Sequence, residues 1–313
     1  MLTQRPASSM ADLEDAGALT SAAWRAGSPV VASTPAGIEW WHALSHPDPI
    51  SDHLRLWHLA DATGTPRLVA WTWHEPPEIE WHVWTGNAIA DASVVREVFG
   101  TLVAAPNYAD FGVFASDDDG AAQRALGDLG FAASGRRLSQ WLWRAADGPA
   151  PRPAATPTLP TGYRIRGLTG PAEIEARVAV HRAAFPTSRL TAARYEGLLD
   201  MPHYRLEDDL VVEASDGSFA AFALTWWDPI GRVGEFEPLG THPDHRRRGL
   251  ARALLTAGIE RFVARGARAI EVFSDAADAP AEALYPAAGF VRRNVHRRYA
   301  RPPSAASGAT IDG

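Results

Sequence analysis

The chain has 313 residues, 46% of them hydrophobic, a formal net charge of −7 and a pI near 5.9. Its length exceeds a usual single domain and suits two modules of roughly 150 residues. The negative balance offers no general basic field for nucleic acid, and the absence of cysteine excludes disulfides, thiolate metal sites and a thiol nucleophile. No apolar run reaches membrane-span length and the first residues lack a signal peptide's apolar core, so a soluble cytoplasmic protein is expected.

Taken in order, residues near 1–30 give a short helical pattern. The runs 54–59, 67–74 and 78–84 read as strands, parted by Asp61-Ala62-Thr63-Gly64 and Pro76-Pro77. Trp71 and Trp73 share one face of the second run and Trp81 lies on the third, which points to core or interface filling more than to a ligand cage. Asp91 is placed to cap a helix carrying Val94, Val95, Val98, Phe99 and Leu102. A strand at 111–115, a helix over 121–131 and a strand at 138–144 follow. Residues 147–160 form a proline-rich linker that cannot build regular structure.

Beyond the linker come a strand at 163–167, helices at 172–185 and 191–199, and strands at 210–214 and 218–226 around the Asp216-Gly217 turn. A strand at 232–239 runs into a helix over 250–263, with Leu254, Leu255, Ile259, Phe262 and Val263 at helical spacing and Gly266 as its stop. The run 269–273, the segment 280–285 and a strand near 290–299 complete the pattern, and the small polar tail 303–313 is read as disordered.

Between strand and helix stands Arg246-Arg247-Arg248-Gly249-Leu250-Ala251. A glycine there lets several backbone N–H groups without intrahelical partners point one way, and the helix start carries partial positive charge, so a pyrophosphate is favoured. The alternative is a solvated basic helix start. The loop resembles the Arg/Gln-x-x-Gly-x-Gly/Ala signature of the GCN5-related N-acetyltransferases (GNAT), and Asp278 to Phe290 resembles that family's Asn-x-x-Ala-x-x-Leu-Tyr-x-x-x-Gly-Phe segment. The resemblance is specific over 161–302 and architectural over 30–145. It implies an α/β (α+β) chain of tandem GNAT folds, each a mixed, mostly antiparallel sheet flanked by helices. The expected division is a degenerate first copy over 1–146, the linker, and a catalytic copy over 161–302. The first copy has TGNAIA where the basic loop belongs and Leu126 where the family usually has tyrosine.

The resemblance implies acetyl-CoA as cosubstrate, no metal, and direct attack of a small-molecule or peptide amine on the thioester. It places the pantetheine arm along Leu239, Gly240 and Thr241, with the Leu239 amide polarising the carbonyl, and the diphosphate on Arg246, Arg247, Arg248, Gly249, Leu250, Ala251 and Arg252. Asp278 stands at the family's asparagine and either repels the coenzyme or caps the helix. Pro238 interrupts sheet pairing where a splay is wanted. The resemblance singles out Glu235 as base and Tyr285 as acid; Glu237, two along the strand on the same face, makes a carboxylate pair with Glu235 that would raise one proton affinity. About 13 Å of strand separates Glu235 from Leu239, so a water relay is expected. Pro286 is expected to push Tyr285 out of helical geometry. The acceptor would be read by Trp227, Phe185 and Tyr195, with Arg182, Ser188, Arg189, Trp226 and Asp228 nearby. His242 and His245 have metal-like spacing, but the adjacent arginines disfavour a cation. Mycothiol synthase, also of tandem build, has a similar strand end, which makes a mycothiol-type amine the runner-up acceptor; a non-catalytic acyl-CoA sensor is the reading from another class.

Overall fold

The computed structural model describes residues 2–28, 31, 33–86, 92–105, 111–145 and 159–301. Asp91, most of the linker and the 303–313 tail lie outside the described residues. Before the linker the order is β1 (Leu2–Pro6), α1 (Met10–Arg25), α2 (Pro35–Ser45), the single turn α3 (Ile50–His53), β2 (Leu54–Ala60), β3 (Pro66–Glu75), β4 (Glu78–Val83), α4 (Ala92–Ala104), β5 (Gly112–Ser116), α5 (Gly120–Asp128) and β6 (Ala132–Arg144). After it come β7 (Tyr163–Gly167), α6 (Ile174–Ala184), α7 (Ala192–Glu196), β8 (Asp209–Ala214), β9 (Phe219–Asp228), β10 (Val233–Thr241), α8 (Leu250–Ala264), β11 (Ala269–Asp275), α9 (Ala279–Ala287) and β12 (Val291–Ala300).

All twelve strands join one sheet in the order β1-β2-β3-β4-β5-β12-β6-β11-β10-β9-β8-β7. Replacing each strand by the one six places away in sequence reads the same order backwards, the mark of two copies related by a pseudo-twofold axis. The pairing is antiparallel except for β4–β5 and β10–β11. Each copy's last strand has crossed over: β6 pairs with β11, β12 pairs with β5, and the two pair with each other at the centre.

The second half folds as its pattern predicts. α8 lays Leu250, Leu254, Leu255, Ile259 and Phe262 on Phe236, Ile270 and Val272 in one buried cluster. Strand β9 is buried along nearly its whole length, since α6 covers its other face; Phe222 packs there with Val180 and Ala184. Fully burying one such large side chain contributes about 1.5–3 kcal/mol. Trp71 and Trp73 are core residues, as expected, packed with Ile38, Leu54 and Leu56.

The first forty-five residues hold more structure than their pattern showed. β1 is a short, mostly exposed edge strand, and α2 opens at Thr34-Pro35, a helix-start pair overlooked in the sequence. Helix α2 crosses to the other half, packing Ala36, Trp40 and Ala43 against Tyr195, Leu198 and Trp226.

Candidate active site

Strands β10 and β11 are register partners only from Val233/Ala269 to Glu235/Glu271, although β10 continues to Thr241 and β11 to Asp275. They part beyond that point. On the other side, the β10–β9 register shifts between Phe236 and Leu239, across Pro238, and Trp226 Nε1 donates to the Glu237 carbonyl at 2.7 Å. The expected splay is therefore present, and it opens a cleft of about 1300 Å³. Its walls include Leu239, Gly240 and Thr241 of β10, the loop residues Arg246, Arg247 and Gly249, the first turn of α8, and Tyr285.

The loop has the backbone geometry of an anion cradle. Arg247 (φ 62°) and Gly249 (φ 77°) are both left-handed, and Gly249 is the N-cap of α8 with no side-chain cap. A Cβ on Gly249 would meet nothing within 4 Å, so the space beside Gly249 is open. Arg246, Arg247 and Arg252 line the cleft. Arg248, expected with them, turns away: its Nη1 donates to the Tyr163 hydroxyl at 2.8 Å and its Nη2 to the Asp244 carbonyl at 3.3 Å. Successive residues of a tight loop cannot all face one side.

Glu235 is buried, and Thr34 Oγ1 donates to its Oε2. Thr34 thus gives its hydroxyl to the other half of the chain instead of capping α2. Burial pushes Glu235 up to about 7, with the Thr34 bond opposing. Glu237 is partly buried in the cleft wall; desolvation and then the Glu235 charge push it up to about 8. Glu235 itself is not part of that wall. Tyr285 lies beside the cleft, buried against Trp141 and Phe290, and desolvation followed by the Glu237 charge raises its phenol above the ordinary value.

A model of the acetyltransferase (GNAT) family matches residues 176–290. The mycothiol acetyltransferase of Cellulomonas flavigena is 27% identical over 305 residues, covering 82% of this chain and 87% of that protein. That of Clavibacter sepedonicus is 30% identical over 220 residues, covering 69% and 67%. The chain belongs to the GNAT acetyltransferase family. A solved tandem GNAT protein from the clavulanic acid biosynthesis pathway shares the fold, with a TM-score of 0.58, 14% identity, and coverage of 96% of this chain and 98% of that one.

Several expectations for this GNAT chain need correcting. Tyr195 lies in the core, fully buried; its hydroxyl donates to Asp209, which also pairs with Arg177 at 2.8 Å. An aromatic on a short helix was as compatible with core as with cleft. Trp227 packs on Phe262 and away from the cleft, whereas Phe185 does line it. Pro286 does not break α9, which runs on to Ala287, because the missing N–H falls in the last turn. Asp278 caps α9, accepting from the Ala281 amide at 3.2 Å, and it also lines the cleft, as expected of a residue at the coenzyme. His242 accepts from the Asp244 amide and His245 Nδ1 meets the Tyr163 hydroxyl, so each ring has a structural partner.

Residue types alone did not single out Thr34, Arg136, Leu138, Gln140 or Glu271. Arg136 and Leu138 of β6 line the cleft, so the half before the linker builds part of its wall. Gln140 Nε2 donates to Glu271 Oε2 and to the Val31 carbonyl at 3.0 Å. Only Thr34 carried a readable signal, the Thr-Pro helix start; the others depend on the exchanged strand.

Proposed function

We propose that this chain is an acetyl-CoA-dependent N-acetyltransferase in which residues 161–302 carry the transfer and residues 1–146 form a copy that does not transfer. The observation that carries this reading is the parting of β10 and β11 beside a left-handed, arginine-lined helix start. Backbone N–H groups ahead of Leu250, with Arg246, Arg247 and Arg252, would hold the diphosphate, and Leu239 to Thr241 would pair with the pantetheine arm. The cosubstrate supplies an activated acetyl thioester. The Leu239 amide stabilises the developing oxyanion as the amine nitrogen bonds to the carbonyl carbon. Glu235 takes the nitrogen's proton through water, and Tyr285 protonates the departing sulfur. Glu237, which faces the cleft, is the second candidate for the base.

In the first copy the corresponding groups are committed elsewhere. Glu78 of β4 bonds Arg298 Nε at 2.8 Å, and a Cβ on Gly112 would lie 2.3 Å from that guanidinium. The guanidinium occupies the space where β4 and β5 part.

The acceptor is a primary amine of a small molecule or peptide, and the cytoplasm is the proposed compartment. A mycothiol-type amine is the favoured acceptor within this class, supported by the Cellulomonas relative aligning over 87% of its own length. The test is release of free coenzyme A thiol when the protein meets acetyl-CoA and a panel of amines that includes the mycothiol precursor amine. Saturable release with that amine supports the reading. Measurable acetyl-CoA binding without release across the panel would favour a sensor.

A further inference from the structure

We propose that Glu271 is a positioning residue for Glu235: it stays a neutral carboxylic acid and turns its Oε1–H toward the Glu235 carboxylate. This deepens the proposed function and rests on Glu235 acting as the base.

Glu235 and Glu271 are register partners on adjacent parallel strands at the last paired position before the splay, so their side chains stand abreast on one face. Both are buried, Glu271 completely. Two carboxylates cannot share such a place with both ionised. Burial decides which keeps its proton: Glu271 is completely enclosed and one of its buried oxygens has no donor among the described residues, which is not so for Glu235. Gln140 Nε2 donates to Glu271 Oε2, which must therefore accept, and the amide is held that way round because the same Nε2 faces the Val31 carbonyl at 3.0 Å, which can only accept. The proton is left to Oε1, which is buried and reached by no hydrogen-bond donor among the described residues. Thr34 donates to Glu235 as Gln140 does to Glu271, so each carboxyl has one donor, and the difference between them is burial, which is complete only at Glu271.

The titratable surroundings agree. Burial and then the Glu235 charge raise Glu271 well above an ordinary carboxyl, and the Glu235 charge also raises Glu237 on its own strand. His296 of β12 is held down to about 4 by burial, so it is neutral and reaches Gln140, not the carboxyls. A protonated, buried carboxyl serving as hydrogen-bond donor at neutral pH is established chemistry in an apolar site. Here it would keep Glu235 ionised, with its lone pairs oriented, until the ammonium proton arrives; Glu271 retains its own proton throughout.

Glu271→Gln keeps a neutral donor and an acceptor in the same shape, whereas Glu271→Met keeps only the bulk. In the full chain, Glu271→Gln should hold kcat/KM within about threefold with the acid limb of its pH profile in place. Glu271→Met should move that limb up by about one pH unit and lower kcat/KM at pH 7 about fivefold, because the charged form of Glu235 loses a donor. A limb that falls in Glu271→Gln would show that Glu271 carried charge, and an unmoved limb in both variants would show a structural role; either overturns the proposal. Infrared difference spectra at pH 9 between wild type and Glu271→Gln should show one protonated carboxyl stretch belonging to Glu271, and its absence overturns the proposal whatever the kinetics. Glu235→Gln, assayed in parallel, tests the base separately: full activity there sinks the base assignment, while the infrared band still reports on Glu271.

Discussion

At the scale of single residues, the proposed chemistry rests on how far burial lifts a carboxyl. Glu235, held at about 7 by desolvation, accepts a proton only when ionised, so kcat/KM should fall as pH drops below 7 and level off above it. Replacing it by Gln should cut kcat about 10²- to 10³-fold at neutral pH with acetyl-CoA affinity unchanged, as steady-state kinetics and calorimetric titration would show. The same residue has a stability signature. Its folded pKa lies above the ordinary 4.5, so its contribution is fully present below that value and is lost as pH rises toward 7. Glu235→Gln should therefore stabilise the fold at pH 8 by on the order of 3 kcal/mol and make little difference at pH 4, measured by urea unfolding at both. Tyr285→Phe should lower kcat about 10²-fold through the missing proton donor, while the ring keeps its contacts with Trp141 and Phe290 and thus the melting temperature. Full activity in that variant would remove the acid role.

At the scale of elements, α8 and its entry loop form the unit on which the proposed coenzyme binding rests. Gly249 combines φ of 77° with open space around its missing Cβ, so the strain of a side chain there is conformational, not steric. Gly249→Ala should cost about 1–2 kcal/mol, partly as local loop rearrangement, and weaken acetyl-CoA binding about tenfold; titration against unchanged binding is the check. Gly240 differs. There a Cβ would lie 2.5 Å from Phe222 and 2.9 Å from Ala184, so close helix-to-strand approach is the requirement. The hydrophobic period of α8, the loop glycine and the Asp216-Gly217 hairpin were all readable in sequence because each is a local interaction. The limits of α6 and α7 were less so, since single-turn 3₁₀ segments flank them at Pro171–Glu173 and Gly197–Asp200.

At the scale of the whole molecule, the exchanged strands make the two halves one folding unit. Residues 161–301 alone would leave β11 and β12 without β6 between them, and would lack the Arg136, Leu138 and Gln140 that β6 brings. That fragment should be insoluble or unable to bind acetyl-CoA, and co-expression with residues 1–146 should restore both properties. A soluble fragment that binds with full-length affinity would contradict this.

What the sequence determined on its own was whatever depends on neighbours in the chain: the strand and helix periods, the basic-glycine loop ahead of Leu250, the Glu235 and Tyr285 positions within their motifs, and the duplicated order of elements. Tertiary structure alone decided what depends on distant residues. It brought Thr34 onto Glu235, set Glu271 beside it under Gln140, sent Tyr195 into the core, and turned Arg248 from the cleft. The reason is physical: strand exchange and the burial of carboxyls arise from pairings more than a hundred residues apart, and no local period encodes which strand a sheet edge will accept.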